Sequence, residues 1–268
     1  MNDDDEINAP FAVITGASSG IGFELAREFA EHGFDVLIAS EDDGIDAAAD
    51  RLRALGAKVD SVRVDLATYD GVETLYQRIR DSARPVDAIA LNAGVGVGGS
   101  FVENDLDAEL NLIQLNVVSV VHLAKRVVRD MVERNEGRIL FTSSIAAEAP
   151  APYEAIYGAS KAFVQSFAQA LRDELRDTSV TVTALQPGAT ETNFFHRAGM
   201  DDTKVAQMKH SDPADVARQG FEALMAGKDH VVSALAMEQA QVAMGKVMPE
   251  TTKAKMHRHV SEPGSANP

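Results

Sequence analysis

The chain has 268 residues, 45% of them hydrophobic, enough for one α/β domain whose core is covered on both faces. A formal net charge of −16, uninterrupted by any basic run with interleaved aromatics, excludes nucleic acid as an expected partner and otherwise means solubility alone. Without cysteine there are no disulfides, thiolate nucleophiles or cysteine-held metals, and a cytoplasmic, reducing location is expected.

The amino terminus, MNDDDEINAP, carries acids where a targeting peptide needs bases followed by an apolar run. Apolar stretches such as residues 34–40 and 117–121 fall far short of the roughly 18 residues that span a bilayer, so no membrane partner is expected.

Residues 11–15 (FAVIT) read as a first strand, and a helix over 21–31 begins inside the glycine-rich turn TGASSGIG at 15–22. In that turn Gly16 permits a bend closed to side chains, Gly20 lets backbone approach a pyrophosphate, and Gly22 lets the helix pack on the strand. Ser18, Ser19 and Ile21 complete the cradle, and the helix amino terminus faces the anion.

A second strand over 34–39 leads to Ser-Glu-Asp, where an adenine ribose lies in such a fold. A carboxylate at Glu41 accepts bonds from ribose hydroxyls, whereas against a 2′-phosphate it repels by several kcal/mol at about 4 Å and an effective dielectric near 20. NAD is therefore expected over NADP, unless Glu41 merely opens a solvated loop. A helix over 46–55 ends at Gly56, and a third strand over 58–64 runs into Asp65 and Leu66, where the carboxylate either meets the adenine amino group or caps the next segment.

A helix over 71–81 and a strand over 87–91 precede Asn92, Ala93 and Gly94, small residues and an amide at the expected ligand crevice. A long helix over 107–134, closed by Gly137, carries Asn116 as a polar amide in the apolar run LNVVSVV; it serves either a buried hydrogen bond or the site. The strand over 138–142 delivers Ser144 at its carboxyl end, where a hydroxyl can donate to a substrate carbonyl, and Ala147 follows among small residues that leave room for one.

On the helix over 156–176, Tyr157 and Lys161 share a face at i and i+4, and an ammonium beside a phenol favours the phenolate. That would bring a group with an ordinary pKa near 10 within reach of proton transfer at neutral pH. A strand over 180–185, a helix over 212–226 capped by Asp212 with Pro213 at its first position, and a strand over 230–234 complete the alternation. Strands separated by helices this long require crossovers, so the fold class is α/β: a doubly wound, mostly parallel sheet of about seven strands (Rossmann fold) in a single domain. From about residue 253 the chain turns polar and reads as a loose tail.

The set as a whole resembles the short-chain dehydrogenases/reductases, over essentially the whole chain to about Thr192. TGASSGIG resembles the family's TGxxxGxG turn, Leu91-Asn92-Ala93-Gly94 its NNAG, and Asn116 its helix asparagine. Ser144 resembles its serine, and Tyr157 to Lys161 its YxxxK, thirteen positions after that serine. Pro187-Gly188 looks like its PG motif, followed by Thr190 and by Thr192 in the place that contacts the nicotinamide carboxamide.

The resemblance implies Tyr157 as general acid in reduction and base in oxidation, with Lys161 lowering its pKa and holding the nicotinamide ribose. It implies Ser144 orienting the carbonyl oxygen, Asn116 anchoring a water that links Lys161 to solvent, and hydride passing to or from nicotinamide C4. Leu91 departs from the pattern where the first asparagine stands, as does Ala189 where bulkier residues are common.

Residues 191–211 should form a lid over the substrate. Phe194, Phe195, Met200 and Met208 make it apolar, and with Val95, Val97, Ala147 and Tyr153 they either line a pocket for a hydrophobic ketone or secondary alcohol or only pack the lid down. His196, His210 and the tail histidines show no spacing with acids that suggests a metal. Rival readings are a reductase of acyl-carrier or lipid β-keto groups and a dinucleotide-sensing protein without catalysis. In similar proteins the two long helices form a four-helix interface, so a homodimer or homotetramer is expected.

Overall fold

The computed structural model describes residues 9–245 and 247–266, so the acidic stretch read at residues 1–8 and the end of the polar tail lie outside the described residues. Seven strands form one parallel sheet: β1 (Phe11–Thr15), β2 (Asp35–Ser40), β3 (Val59–Arg63), β4 (Ala88–Leu91), β5 (Gly137–Thr142), β6 (Val180–Pro187) and β7 (His230–Ser233). Their order across the sheet is β3-β2-β1-β4-β5-β6-β7. β1 pairs with β2 on one side and β4 on the other, with Val13 opposite both Leu37 and Ile89. The chain winds outward in both directions from this seam, so the loops leaving β1 and β4 part and open a crevice at their carboxyl ends.

The strands are apolar on both faces because both are covered. Val13, Leu37, Ile89, Ile139 and Phe141 pack against α3 (Tyr69–Asp81), α5 (Ser119–Arg134) and α6 (Ala155–Glu174) through Leu75, Leu123, Val127 and Val164. Ile14, Val36, Ile38, Ala90 and Leu140 face α1 (Gly20–Glu31), α2 (Gly44–Arg53) and α9 (Pro213–Met225) through Leu25, Phe29, Leu52 and Phe221. Two short helices, α7 (Phe194–Arg197) and α8 (Lys204–Gln207), precede α9, which Asp212 caps as the sequence predicts, accepting from Ala214 N at 2.8 Å. No helix among the described residues is long and apolar enough to cross a membrane.

Three expectations need correction. The long helix over 107–134 is two helices, α4 (Leu106–Ile113) and α5, joined by a π-helical turn at Gln114–Val118. Asn116 stands at the centre of that turn, and one extra residue in the helical register is a common device for aiming a functional side chain. Gly137 does not close α5: Asn135 does, in the left-handed conformation at φ 56°, and Gly137 is the first residue of β5.

The third correction is the carboxyl terminus. Instead of a loose tail, α10 (Ala236–Gly245) and α11 (Glu250–Ser261) fold back over the open end of the crevice. Along α11 the covered positions, Lys253, Ala254, His257, Val260 and Ser261, recur at helical spacing, but three of them are polar. A search for apolar periodicity therefore passes over this helix. Its seam is held by hydrogen bonds instead: Lys253 Nζ donates to Glu148 O at 3.1 Å, and Ser261 Oγ to Glu154 Oε2 at 3.1 Å.

Candidate active site

At the parting of β1 and β4, Thr15 Oγ1 accepts from the N–H groups of Asn92 and Ala93, both at 3.0 Å. Asn92 Nδ2 donates to Thr15 O at 3.1 Å, while Thr142 Oγ1 donates to Asn92 Oδ1 at 3.2 Å. The ends of β1, β4 and β5 are thus tied through one amide. Above them Gly16 takes φ 68°, and a Cβ on it would lie 2.8 Å from Ala93 Cα; one on Gly22 would overlap Gly16 O. The glycine spacing is therefore steric as well as conformational. Ser19 is the N-cap of α1 but makes no side-chain cap bond, and the first N–H to find a carbonyl is that of Phe23, on Ser19 O at 3.2 Å. The donors of Gly20, Ile21 and Gly22 are left facing the crevice, as an anion requires.

Where β2 ends, Asp42 accepts from Ser18 Oγ at 2.7 Å, Ser40 Oγ at 2.8 Å and Gly44 N at 2.9 Å. Burial works to raise its pKa, but these bonds, helped by Arg197, carry it below the usual carboxylate range. Glu41 is not a bare carboxylate: its Oε1 accepts from Arg197 at 2.8 Å, an ion pair between the strand end and the segment that follows β6. Arg63 donates to Glu41 O at 3.1 Å and pairs with Asp43. Asp65 both lines the crevice and caps its own turn, its Oδ1 accepting from Ala67 N at 2.8 Å.

At the other end of the crevice Ser144 follows β5 and opens a 3₁₀ turn at Ile145–Glu148, accepting from Ala146 N at 3.1 Å. Tyr157 lies in the first turns of α6, its ring tilted on Phe194 at 5.1 Å between centroids. Lys161 is buried and donates to Thr142 O at 3.0 Å, while its own carbonyl accepts from Ser143 Oγ at 3.0 Å.

The electrostatics differ from the simple expectation of a phenol acidified by a neighbouring cation. Burial pushes the Tyr157 phenol up; the Ser144 hydroxyl pulls it down, and the Glu154 carboxylate adds to the rise. Lys161, itself brought down to about 8 by burial, sits 5.8 Å from the ring centroid with its ammonium committed to the Thr142 carbonyl, and its charge does not outweigh desolvation at the phenol. At neutral pH the phenol holds its proton and the lysine is mostly charged. Such a pair is set to donate a proton to a substrate oxygen.

Asn116 is 1% exposed and does not reach the crevice. Its amide straddles Val95, accepting from Val95 N and donating to Val95 O, both at 2.9 Å, and it also donates to Ser160 Oγ at 3.1 Å. Ser160 Oγ in turn donates to Tyr157 O at 2.7 Å. Asn116 therefore positions the strand β4 exit against the tyrosine helix, and a Cβ on Gly94 would sit 3.1 Å from its Oδ1 and 3.2 Å from Lys161 Nζ.

A cavity of about 400 Å³ joins the two ends. Gly16, Ser18, Ser19, Gly20, Ile21, Gly22, Glu41, Asp65, Leu66, Asn92, Ala93 and Gly94 line one part; Ser144, Tyr157, Lys161, Pro187, Gly188, Thr190 and Thr192 line the middle. Val95, Phe194 and Phe195 line the remainder as expected, but Ala147 and Tyr153 do not. Ala147 lies on the far side of its 3₁₀ turn, between wall residues Ala146 and Glu148. Tyr153, held at φ 67°, turns its hydroxyl away to Glu262 Oε1 at 2.6 Å. Sequence reasoning missed the wall formed by α10, α11 and the turn between them, including Met237, Met248, Met256 and His257, because no local signal ties those residues to the crevice. Glu238 fastens that wall: its two oxygens accept from Ala189 N at 3.1 Å and Leu235 N at 2.9 Å. The described residues hold no group of three or more acidic or histidine side chains that could bind a metal.

The family model of the short chain dehydrogenases matches residues 10–203. This chain is a member of that family. An uncharacterized short-chain type dehydrogenase/reductase of Sinorhizobium fredii is 38% identical over 191 residues, 70% of this chain and 72% of that protein. A putative ketoacyl reductase of Streptomyces coelicolor is 33% identical, over 68% of this chain and 70% of its own length. Among solved structures, a short-chain dehydrogenase from Sphingobium yanoikuyae in complex with NADPH aligns with a TM-score of 0.79 at 30% identity, covering 90% of this chain and 96% of that one. A short chain dehydrogenase/reductase from Burkholderia phymatum in complex with NAD aligns with a TM-score of 0.81 at 26% identity, covering 96% and 98%.

The dehydrogenase is accordingly an NAD(P)-dependent oxidoreductase, and its crevice fits that cofactor. The free N–H groups at α1 and the close approach that Gly16 and Gly22 alone allow suit a pyrophosphate, and Gly94 leaves the backbone open beside Lys161.

Proposed function

We propose that this dehydrogenase interconverts a hydrophobic ketone and its secondary alcohol, with Tyr157 as the proton donor and acceptor and Ser144 holding the carbonyl oxygen. The observation that carries it is the Tyr157 phenol beside Ser144 in a cavity whose outer wall includes Met208, Met237, Met248 and Met256. A bound nicotinamide supplies the hydride; the chain's own residues orient the carbonyl, exclude water and deliver the proton. Gly16 to Gly22, Asn92 to Gly94, Lys161, and Pro187 to Thr192 would hold the dinucleotide. Asn116 acts through Val95 and Ser160 rather than on the substrate.

NAD is the proposed cofactor. Glu41, Asp42 and Asp43 outnumber Arg63 and Arg197 where the adenine ribose would lie, so the site offers a 2′-phosphate no net positive charge. Residues 191–211 serve as a lid whose two ends are pinned together, Glu191 N on Ser211 O at 2.9 Å and Ser211 N on Ala189 O at 2.8 Å. The exposed Phe101 and Val102 in the turn before α4, Leu106 and Leu110 on α4, and Phe163 on α6 support self-association through those faces. A cysteine-free chain suits the cytoplasm.

The test is a panel of aryl and alicyclic ketones and their alcohols with both cofactors, followed by absorbance of the reduced nicotinamide. Turnover with NAD and apolar carbonyls supports the reading; no turnover of any ketone or alcohol refutes it. A β-ketoacyl substrate is a second reading, supported by the name of the Streptomyces relative and by Lys209 at the cavity mouth, which makes no ion pair among the described residues. Turnover confined to acyl-thioesters, and lost in Lys209→Glu, would favour it.

A further inference from the structure

Glu154 is the N-cap residue of α6, yet its side chain does not cap the helix. It is 5% exposed and turns toward the cavity, where one oxygen, Oε2, accepts from His257 Nε2 at 3.0 Å and from Ser261 Oγ at 3.1 Å. Among the described residues no hydrogen bond uses Oε1, and it is not one of the buried atoms, so the carboxylate keeps one acceptor oxygen open to the cavity. Glu154, His257 and Ser261 line the same cavity as Ser144 and Tyr157, in a wall that Lys253, Met256 and Val260 also form. Tyr157 is three residues further along the same helix, close enough for the carboxylate to disfavour ionisation of its phenol.

We propose that Glu154, held by His257 and Ser261, is a recognition subsite for a hydroxyl group carried on the apolar body of the substrate, away from its reacting carbonyl. The inference rests on the ketone–alcohol reading of the same cavity. An acceptor oxygen left open beside Met256 and Val260 selects for a donor, because a substrate lacking one covers that oxygen without pairing it. A neutral hydroxyl suits it better than an ammonium: the charge on Glu154 is already met by two donors, and Lys253 stands in the same wall. The four methionines of the cavity, Met208, Met237, Met248 and Met256, adapt to the rest of the molecule, so the hydroxyl contact would set the register.

The experiment uses the full chain with its nicotinamide cofactor and ketones paired with hydroxylated counterparts: 4-phenylcyclohexanone with 4-(4-hydroxyphenyl)cyclohexanone, phenylacetone with 4-hydroxyphenylacetone, and 2-tetralone with 6-hydroxy-2-tetralone. In at least one pair kcat/KM should favour the hydroxylated member by about tenfold or more, and Glu154→Leu should bring that ratio near unity while Glu154→Gln, which keeps an acceptor, retains part of it. A Glu154 that only tethers α11 predicts a lowered Tm and equal losses for both members, and that result overturns the subsite. A wild-type enzyme that turns over the unsubstituted ketones without any preference also overturns it and leaves the ketone reading standing. A preference for amino over hydroxyl counterparts overturns the choice of hydroxyl. Calorimetric titration with 4-cyclohexylphenol and its methyl ether needs neither turnover nor a variant: the phenol should bind about tenfold tighter, and equal affinities refute the subsite.

Discussion

Replacing Lys161 by methionine separates what this lysine costs the fold from what it does for the site. Burial brings its pKa from 10.5 to about 8, so the folded chain binds its proton less readily than the unfolded chain does. Below pH 8 both states are protonated and the burial penalty is fully present; between pH 8 and 10.5 the folded state has lost the proton while the unfolded state keeps it. Wild-type stability therefore rises with pH across that window, and the whole penalty corresponds to about 3 kcal/mol.

Lys161→Met removes this term and also the bond to Thr142 O, so its effect at one pH mixes the two. The difference between wild type and variant, compared at pH 7.5 and pH 10, cancels the hydrogen bond and every other titrating group that the two chains share. Urea unfolding at the two pH values should show wild type gaining on the variant by about 2 kcal/mol as pH rises, with m unchanged. A wild-type-to-variant difference that stays constant within about 0.5 kcal/mol would mean that Lys161 is not desolvated as its 6% exposure implies.

The other expectations concern single contacts. Tyr157→Phe should retain dinucleotide binding within about threefold in a calorimetric titration while turnover falls by at least about 10²-fold; activity surviving within tenfold would rule out the proton-donor role. Asn116→Leu strands the N–H and C=O of Val95, so unfolding in urea should show a loss of about 2–4 kcal/mol, with the NAD affinity falling alongside; a neutral result would mean that Val95 finds other partners. Glu41→Arg should raise the NADP-to-NAD ratio of kcat/KM by about tenfold, since it inverts the charge at the ribose and frees Arg197 from its ion pair; an unchanged ratio places the ribose elsewhere.

The strands, the turn and the order of motifs were legible in the sequence because each rests on neighbouring residues. FAVIT is a buried strand wherever it sits in a two-faced sheet, and the spacing of Gly16, Gly20 and Gly22 follows from a strand-to-helix turn that closes within a few residues. Tyr157 and Lys161 share a helix face by geometry alone. Less was legible where hydrogen bonds replace apolar contacts. The π turn at Asn116 leaves no pattern in LNVVSVV, and the polar seam of α11 hides a pocket wall inside what reads as a tail.

What the sequence by itself determined is the alternation of buried strands and crossover helices, the glycine cradle at the first turn, and the presence of a serine, a tyrosine and a lysine at the ends of particular elements. Only the tertiary structure decided the acidity of those groups and the limits of the pocket. A pKa depends on which charges and how much water surround a group, and the burial that shifts both Lys161 and Tyr157 comes from elements packed around their helix, with Ser144, thirteen positions before Tyr157, pulling the phenol down. The far wall likewise exists because α11 docks more than a hundred residues from the Glu154 it meets, through contacts that no local periodicity encodes.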